Sequence, residues 1–324
     1  MMINSSNIIR IKDTYLNREI SGDFMPAVYV IEITNNCTLD CIMCPHSELK
    51  RDELGHMEIA MFEKIVLEIS PYAENVMLYF MGEPLMHPQF NEILKIARKW
   101  IHGKISISTN GLFMDNAKCN SIVDNNIDFV ICCLDHHDKH KYESIRRGSS
   151  YEKVIYNIEN LIKIRDNNRF PHILIKALDI NFEGNEIQEF HSFWNNKNVT
   201  TLVGWVDTWA GQLPNLKSYN STEQPYLNIE RIPCADLWFK MIINWKGDVV
   251  LCCHNYDYSI NLGSLYKKNS SLKKIWQGAK IQGFRLDHLT KEYNSICKKC
   301  TEWAVIDELN VFASLDINKL NLVF

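Results

Sequence analysis

The chain has 324 residues, 46% of them hydrophobic, enough to bury a sizeable core. Its 35 Lys and Arg against 39 Asp and Glu leave a net charge of -4, so no electrostatic footprint marks a nucleic-acid partner. Residues 1–18 lack a signal-peptide core and no apolar run approaches a membrane span, so eleven cysteines point to metal or cluster ligation in a reducing, cytoplasmic compartment.

From about residue 27 to 206, short apolar runs alternate with helical patterns, the mark of a parallel sheet covered by helices. Strands are predicted over 27–33, 75–80, 104–108, 128–134, 172–178 and 200–206. Helices between them include 59–69 and 151–168, where Val154, Ile155, Ile158, Leu161, Ile162 and Ile164 recur mostly at three- and four-residue steps. Six βα units fall short of the eight that close a barrel. The predicted fold is therefore α/β, a partial (β/α)6 TIM-like barrel whose open arc leaves a lateral gap for a bulky substrate.

The first strand runs into Cys37, Cys41 and Cys44, spaced C-x3-C-x2-C. Three thiolates can hold three corners of a four-iron four-sulfur cluster, which leaves one iron open to a chelating small molecule. A structural zinc or buried free thiols would be the alternatives, but no fourth ligand follows at knuckle spacing except His46. In βα architectures chemistry gathers at the C-terminal strand ends, where this loop lies.

The next strand ends carry further polar groups. Met81-Gly82-Glu83-Pro84 follows the second strand and offers a carboxylate able to accept charge-assisted hydrogen bonds from an ammonium. Thr109-Asn110-Gly111 follows the third and reads equally as an Asn-Gly turn. Cys133-Leu134-Asp135 closes the fourth, and Arg146 in Ile145-Arg146-Arg147-Gly148 can fork onto a carboxylate. The segment from Gly204 to Gly211, with Trp205, Asp207 and Trp209, offers aromatic faces and a carboxylate to a polyol or amine, or else core aromatics at a domain junction.

Beyond a linker at 211–233, residues 237–243 and 248–251 flank Lys246-Gly247 as a hairpin, and two short helices are expected at 272–277 and 280–289. Cys234, Cys252, Cys297 and Cys300 would together saturate one cluster, although spacing alone does not separate iron-sulfur from a four-cysteine zinc. Cys253 points away from Cys252 if the strand continues, as an alternative ligand, a hydrogen-donating thiol or a core thiol. Cys119, Cys132 and Cys133 read as core.

The cysteine triad, G-E-P, T-N-G and I-R-x-G together resemble the radical S-adenosylmethionine (radical SAM) superfamily, and the later cysteines resemble its SPASM or twitch extensions. The resemblance implies that Cys37, Cys41 and Cys44 bind a catalytic [4Fe-4S] cluster whose open iron chelates SAM, releasing a 5'-deoxyadenosyl radical on reduction. It implies that Gly82, Glu83 and Pro84 receive the SAM amino group, that Thr109 and Asn110 lie near its ribose and methionine, that Met43 covers adenine, and that Arg146 meets its carboxylate. Met81 and Cys133 depart from the family's usual glycine and serine. Cys234, Cys252, Cys297 and Cys300 would hold a second, auxiliary [4Fe-4S] cluster; the full SPASM pattern carries more cysteines and two such clusters.

The implied layout is an N-terminal extension at 1–26, the core at 27–210, the linker at 211–233 and the auxiliary domain at 234–324. The implied partners are a small-molecule substrate or precursor peptide and a flavodoxin- or ferredoxin-type electron donor, with no nucleic acid and no membrane. The expected reaction is a two-electron oxidation of a sugar or aminocyclitol, as in the family's dehydrogenase branch. Ribosomal-peptide maturation and a non-catalytic iron-sulfur role are the alternatives.

Overall fold

Runs of Val and Ile bounded by turn residues form one nine-stranded sheet in the computed structural model, which describes residues 5–49, 54–166, 168–180, 182–219, 230–301 and 303. In chain order come α1 (Ser5–Leu16), β1 (Val28–Ile31), β2 (Asp40–Cys41), α2 (Ile59–Ile69), β3 (Asn75–Met77), α3 (Phe90–Trp100), β4 (Lys104–Thr109) and α4 (Asn116–Asp124). β5 (Phe129–Cys133), α5 (Lys139–Ile145), β6 (Arg146–Arg147), α6 (Tyr151–Arg165), β7 (His172–Leu178), α7 (Glu186–Trp194) and β8 (Thr200–Gly204) follow. The C-terminal part holds α8 (Asp236–Phe239), β9 (Lys240–Ile243), β10 (Asp248–Val250), β11 (Asn261–Ser264), α9 (Leu272–Trp276), α10 (Ala279–Thr290) and α11 (Ser295–Lys299).

The six predicted strands are β1, β3, β4, β5, β7 and β8, adjacent in that order and all parallel. Helices cover the outer face: α2 presents Phe62, Ile65, Val66 and Ile69, each 0% exposed, at the spacing of one helical stripe. Strand alternation sends Tyr29 and Ile31 into that core, while Val30 faces inward beside Ile242 and Val250.

The C-terminal hairpin does not stand apart. β9 pairs in parallel with β1, from Val28↔Lys240 to Ile31↔Ile243, so the sheet continues through β9, β10 and β11 on the side away from β8. β10 runs antiparallel to β9. Cys252 therefore leaves the sheet at the end opposite to the Cys37 loop.

Four local features differ from these expectations or add to them. Residues 237–239 turn as helix α8 before β9 begins, because Leu237, Trp238 and Phe239 all bury and Trp238 donates its indole N–H to the Glu19 carbonyl at 2.8 Å. A short apolar run does not distinguish a strand from a buried helical turn. α6 stops at Arg165, followed by Asp166 at φ 27. The N-terminal extension contains α1, held where Asn7 bonds both backbone groups of Met25 and Tyr15 packs edge-on against Trp238 at 5.3 Å. The predicted linker includes a short 3-10 turn, Pro214–Tyr219. Residues 1–4 of the extension, 220–229 of the linker and 304–324 of the expected C-terminal domain lie outside the described residues.

Phe62→Ala, which empties a site between α2 and the sheet, is expected to cost about 3–5 kcal/mol. Urea unfolding of the full chain followed by circular dichroism measures it.

Candidate active site

The loop after β1 is fixed at both ends. The Asn35 side chain accepts from Gly55 N at 2.8 Å, and the Asn36 carbonyl accepts from Glu83 N at 2.8 Å. β2 pairs antiparallel with β6, which sets Cys41 opposite Arg146. Leu39, Cys41 and Met43 bury against Ile145, Ile180, Val206 and Leu216, so Met43 is a packing residue of the loop. His46 spends its Nε2–H on the Asn35 carbonyl at 2.8 Å.

Burial raises the thiols of all three loop cysteines, Cys37 to about 11 and Cys44 to about 12, and the Cys41 charge adds to both of these. Arg146, with Nη1 3.9 Å from the Cys41 sulfur, opposes this for all three. One guanidinium does not offset the desolvation of three thiolates. A cationic core supplies the missing charge, so this donor set fits iron.

Around the loop stand the other predicted residues. Glu83, 3% exposed, accepts from Thr109 Oγ1 at 2.7 Å and Leu85 N at 3.1 Å on one oxygen, and from Asn110 N at 2.7 Å on the other. Burial raises its carboxyl above the ordinary range against those three bonds. The second oxygen keeps an acceptor position for an ammonium. Gly82 has no space for a side chain: a Cβ there would meet the Thr34 carbonyl at 2.4 Å and Asn35 Cα at 2.6 Å. Pro84 starts a buried 3-10 turn, and Asn110 Nδ2 lies 3.9 Å from the Cys37 sulfur. Arg146 Nε meets Asp135 Oδ2 at 2.6 Å, so part of its fork is committed within the protein.

One residue escaped the sequence reading. Glu32, 0% exposed at the end of β1, accepts from Met81 N at 3.1 Å, Trp245 N at 3.2 Å and Tyr258 OH at 2.8 and 3.0 Å. It ties the first strand, the G-E-P loop and the C-terminal hairpin together. Burial lifts its carboxyl to about 7, opposed by those hydrogen bonds. A lone acid inside the apolar run 27–33 was the available signal.

The later cysteines also converge: Cys234, Cys252, Cys297 and Cys300 line one cavity with His254 and His288. Burial raises Cys297 to about 12 and Cys234 far above its ordinary value. Arg231 clamps this region, donating to the Cys297 carbonyl at 2.6 Å while stacking on Tyr293 at 3.6 Å. Among the described residues, no three His, Cys, Asp or Glu side chains are grouped to hold one metal ion.

Cys253 faces the other way, packed beside Val30, Ile242 and Val250 on the inner face, with its sulfur 3.6 Å from His254 Nδ1. His254 Nε2 meets Asp207 Oδ2 at 2.6 Å, and Trp209 donates its indole N–H to the Met43 carbonyl at 3.1 Å while its ring sits 6.4 Å from that of His254. The segment from Gly204 to Gly211 thus fills the junction between the two cysteine sets. Cys119 and Cys132 are buried in the core, and Cys133 lies 3.4 Å from Ser108 Oγ.

Comparisons with known proteins agree with this geometry. A family model described as the radical SAM superfamily matches residues 31–176, and one described as an iron-sulfur cluster-binding domain, SPASM, matches residues 234–301. The two domain types imply SAM and two [4Fe-4S] clusters. The chain is 24% identical over 330 aligned positions to the tungsten-containing aldehyde ferredoxin oxidoreductase cofactor-modifying protein of Pyrococcus furiosus, covering 89% of this chain and 90% of that one. It is 26% identical over 132 residues to the S-adenosyl-L-methionine-dependent 2-deoxy-scyllo-inosamine dehydrogenase of Niallia circulans, spanning 39% of this chain and only about half (53%) of that relative. Streptococcus suis SuiB bound to S-adenosylmethionine shares the fold at TM-score 0.65 and 16% identity, over 89% of this chain and 74% of that one. BtrN in complex with AdoMet and 2-DOIA shares it at TM-score 0.58 and 16% identity, over 86% and 94%.

Gly82→Ala forces two backbone segments apart and is expected to cost about 1–3 kcal/mol, read as a fall in the thermal midpoint. For Glu32, stability from the neutral carboxyl is fully present below the ordinary value near 4.5 and is lost as pH rises through about 7. Between pH 5 and 8 the wild type should therefore lose on the order of 2–3 kcal/mol more than Glu32→Gln, measured by anaerobic urea unfolding at both pH values.

Proposed function

Since the chain is a member of the radical SAM superfamily with a C-terminal SPASM domain, we propose that it removes two electrons and two hydrogens from a hydroxyl-bearing carbon of a small polar molecule, a sugar or aminocyclitol. The observation that carries this reading is the placement of the two cysteine sets, with the Cys37 loop at one end of the sheet and Cys252 leaving at the other. A substrate held between the two sets would meet a hydrogen-abstracting group on one side and an electron acceptor on the other. When bound, the SAM-binding cluster with its cosubstrate supplies a 5'-deoxyadenosyl radical, and the auxiliary cluster supplies the acceptor.

The chain's own side chains divide the remaining work. Cys37, Cys41 and Cys44 ligate the SAM-binding cluster, while Cys234, Cys252, Cys297 and Cys300 ligate the auxiliary one. Gly82, Glu83 and Pro84, with Thr109 and Asn110, form the cradle for the SAM ammonium and its neighbouring groups. Arg146, already joined to Asp135 through Nε, turns Nη1 toward the Cys41 thiolate and balances its charge.

The inner face is polar enough for a hydroxylated substrate. The Tyr79 phenol lies near Lys240, Cys133, Ser106 and Cys253, and burial raises it, so it stays a neutral hydrogen-bond donor. Lys240 is joined to Asp236 at 2.8 Å. Lys176 shares a face with Cys133 through the β5–β7 register. These groups can orient the hydroxyls of a substrate by donating hydrogen bonds to them. A small-molecule substrate also accords with the Pyrococcus furiosus relative, whose name describes modification of a cofactor.

Anaerobically reconstituted protein reduced with dithionite is expected to form 5'-deoxyadenosine from SAM, and Cys37→Ala to lower that at least 100-fold. A panel of polyols and aminocyclitols should contain a compound that accelerates the cleavage and leaves two mass units lighter. Acceleration by a peptide alone, or a product of unchanged mass, would refute the dehydrogenation.

A further inference from the structure

We propose that His288 donates a hydrogen bond from Nε2 to the core held by Cys234, Cys252, Cys297 and Cys300, and thereby raises the reduction potential of that site. The inference rests on the reading of those four cysteines as cluster ligands.

α10 carries His288 into the C-terminal core, where it is 3% exposed and meets the Tyr293 ring edge-on at 5.0 Å. The backbone N–H of Cys234 donates to Nδ1 at 3.1 Å. A ring nitrogen that accepts a hydrogen bond carries no proton, so the proton of the neutral imidazole resides on Nε2. That atom is buried and has no hydrogen-bond partner among the described residues, while His288 lines the cavity framed by the four cysteines. A buried donor left unmet is costly. The acceptors that a four-iron core brings to this cavity are sulfurs, both thiolate and bridging sulfide.

Hydrogen bonds to cluster sulfurs favour the more negative, reduced state and so raise the potential. His288 is well placed to do this, because one ring nitrogen grips the backbone of a ligating cysteine while the other carries the free proton. Arg231 donates to the Cys297 carbonyl at 2.6 Å and adds positive charge beside the same cavity. A site tuned upward is a better acceptor for the electron that remains after hydrogen abstraction. His288 is thus a positioning residue for the auxiliary site, acting on its electronics rather than on the substrate.

The test uses the full chain with Cys37, Cys41 and Cys44 changed to Ala, so that only the auxiliary site is loaded. Its midpoint potential is measured by redox titration followed by electron paramagnetic resonance, alongside His288→Phe and His288→Gln in the same background. The expected result is about four irons per chain in all three, a lower potential for His288→Phe, and a potential near the starting value for His288→Gln, which keeps both an acceptor and a donor. Pulsed resonance of the His288 protein after exchange into heavy water should also show a deuteron coupled to the cluster that His288→Gln alters, a readout that holds even if the Phe variant fails to assemble. Equal potentials with full iron content, no such deuteron, or a strong nitrogen coupling from a directly ligating imidazole would each overturn the hydrogen-bond role. Zinc without iron at this site would instead overturn the ligand reading beneath it.

Discussion

The parallel pairing of β9 onto β1 is the contact on which the rest of the molecule depends. It makes β1 an interior strand, bonded to β3 on one side and to β9 on the other. It also fixes where both cysteine sets emerge: the first leaves the sheet with β1, the second with the antiparallel β10. Glu32 reinforces the join from the end of β1, because its two oxygens accept from the G-E-P loop, from the hairpin and from Tyr258. An acid with that many donors around it orders three segments at once, at the cost of full desolvation.

Electrostatics decide what such a framework can hold. Burial opposes the thiolate form of Cys37, Cys41, Cys44, Cys234 and Cys297, against Arg146 at the first set and Arg231, Lys240 and His254 at the second. A protein that shielded reactive thiols for their own chemistry would surround them with more positive charge, since low thiol pKa values arise beside Lys, Arg or protonated His. Here burial outweighs the neighbouring cations for these thiols, so their thiolate form would need the charge of an inorganic core. The same economy appears at Glu83, which is raised by burial yet held by three donors.

Much of the barrel was legible in the sequence because its strands are mostly apolar on the outer face and separated by turn residues, so both type and order could be read. The cysteine triad was legible because its three thiols lie within one loop. What stayed hidden depends on distant partners. α1 was obscured by its polar composition, and its apolar contacts, Ile11 and Tyr15, only make sense against a core contributed in part by Trp238. α8 looked like a continuation of β9 because Leu237, Trp238 and Phe239 bury on every side. Glu32 was a single acid in an apolar run, and the pairing of Asp207 with His254 joins residues separated by nearly fifty positions. No local pattern predicts either. His288 belongs to the same class, since its role depends on which ring nitrogen the Cys234 amide occupies.

The continuity of the sheet across β1 also bears on how such proteins are assembled from parts. A C-terminal extension that merely docked could be lost or exchanged with little effect on the barrel. Here it supplies the neighbouring strand of β1, and its removal would convert an interior strand into an exposed, apolar edge with unpaired backbone groups, a template for aggregation. The extension is therefore a wall of the barrel as much as an attachment to it. The coupling of the two halves follows from hydrogen bonding along a single strand, independently of any chemistry they share.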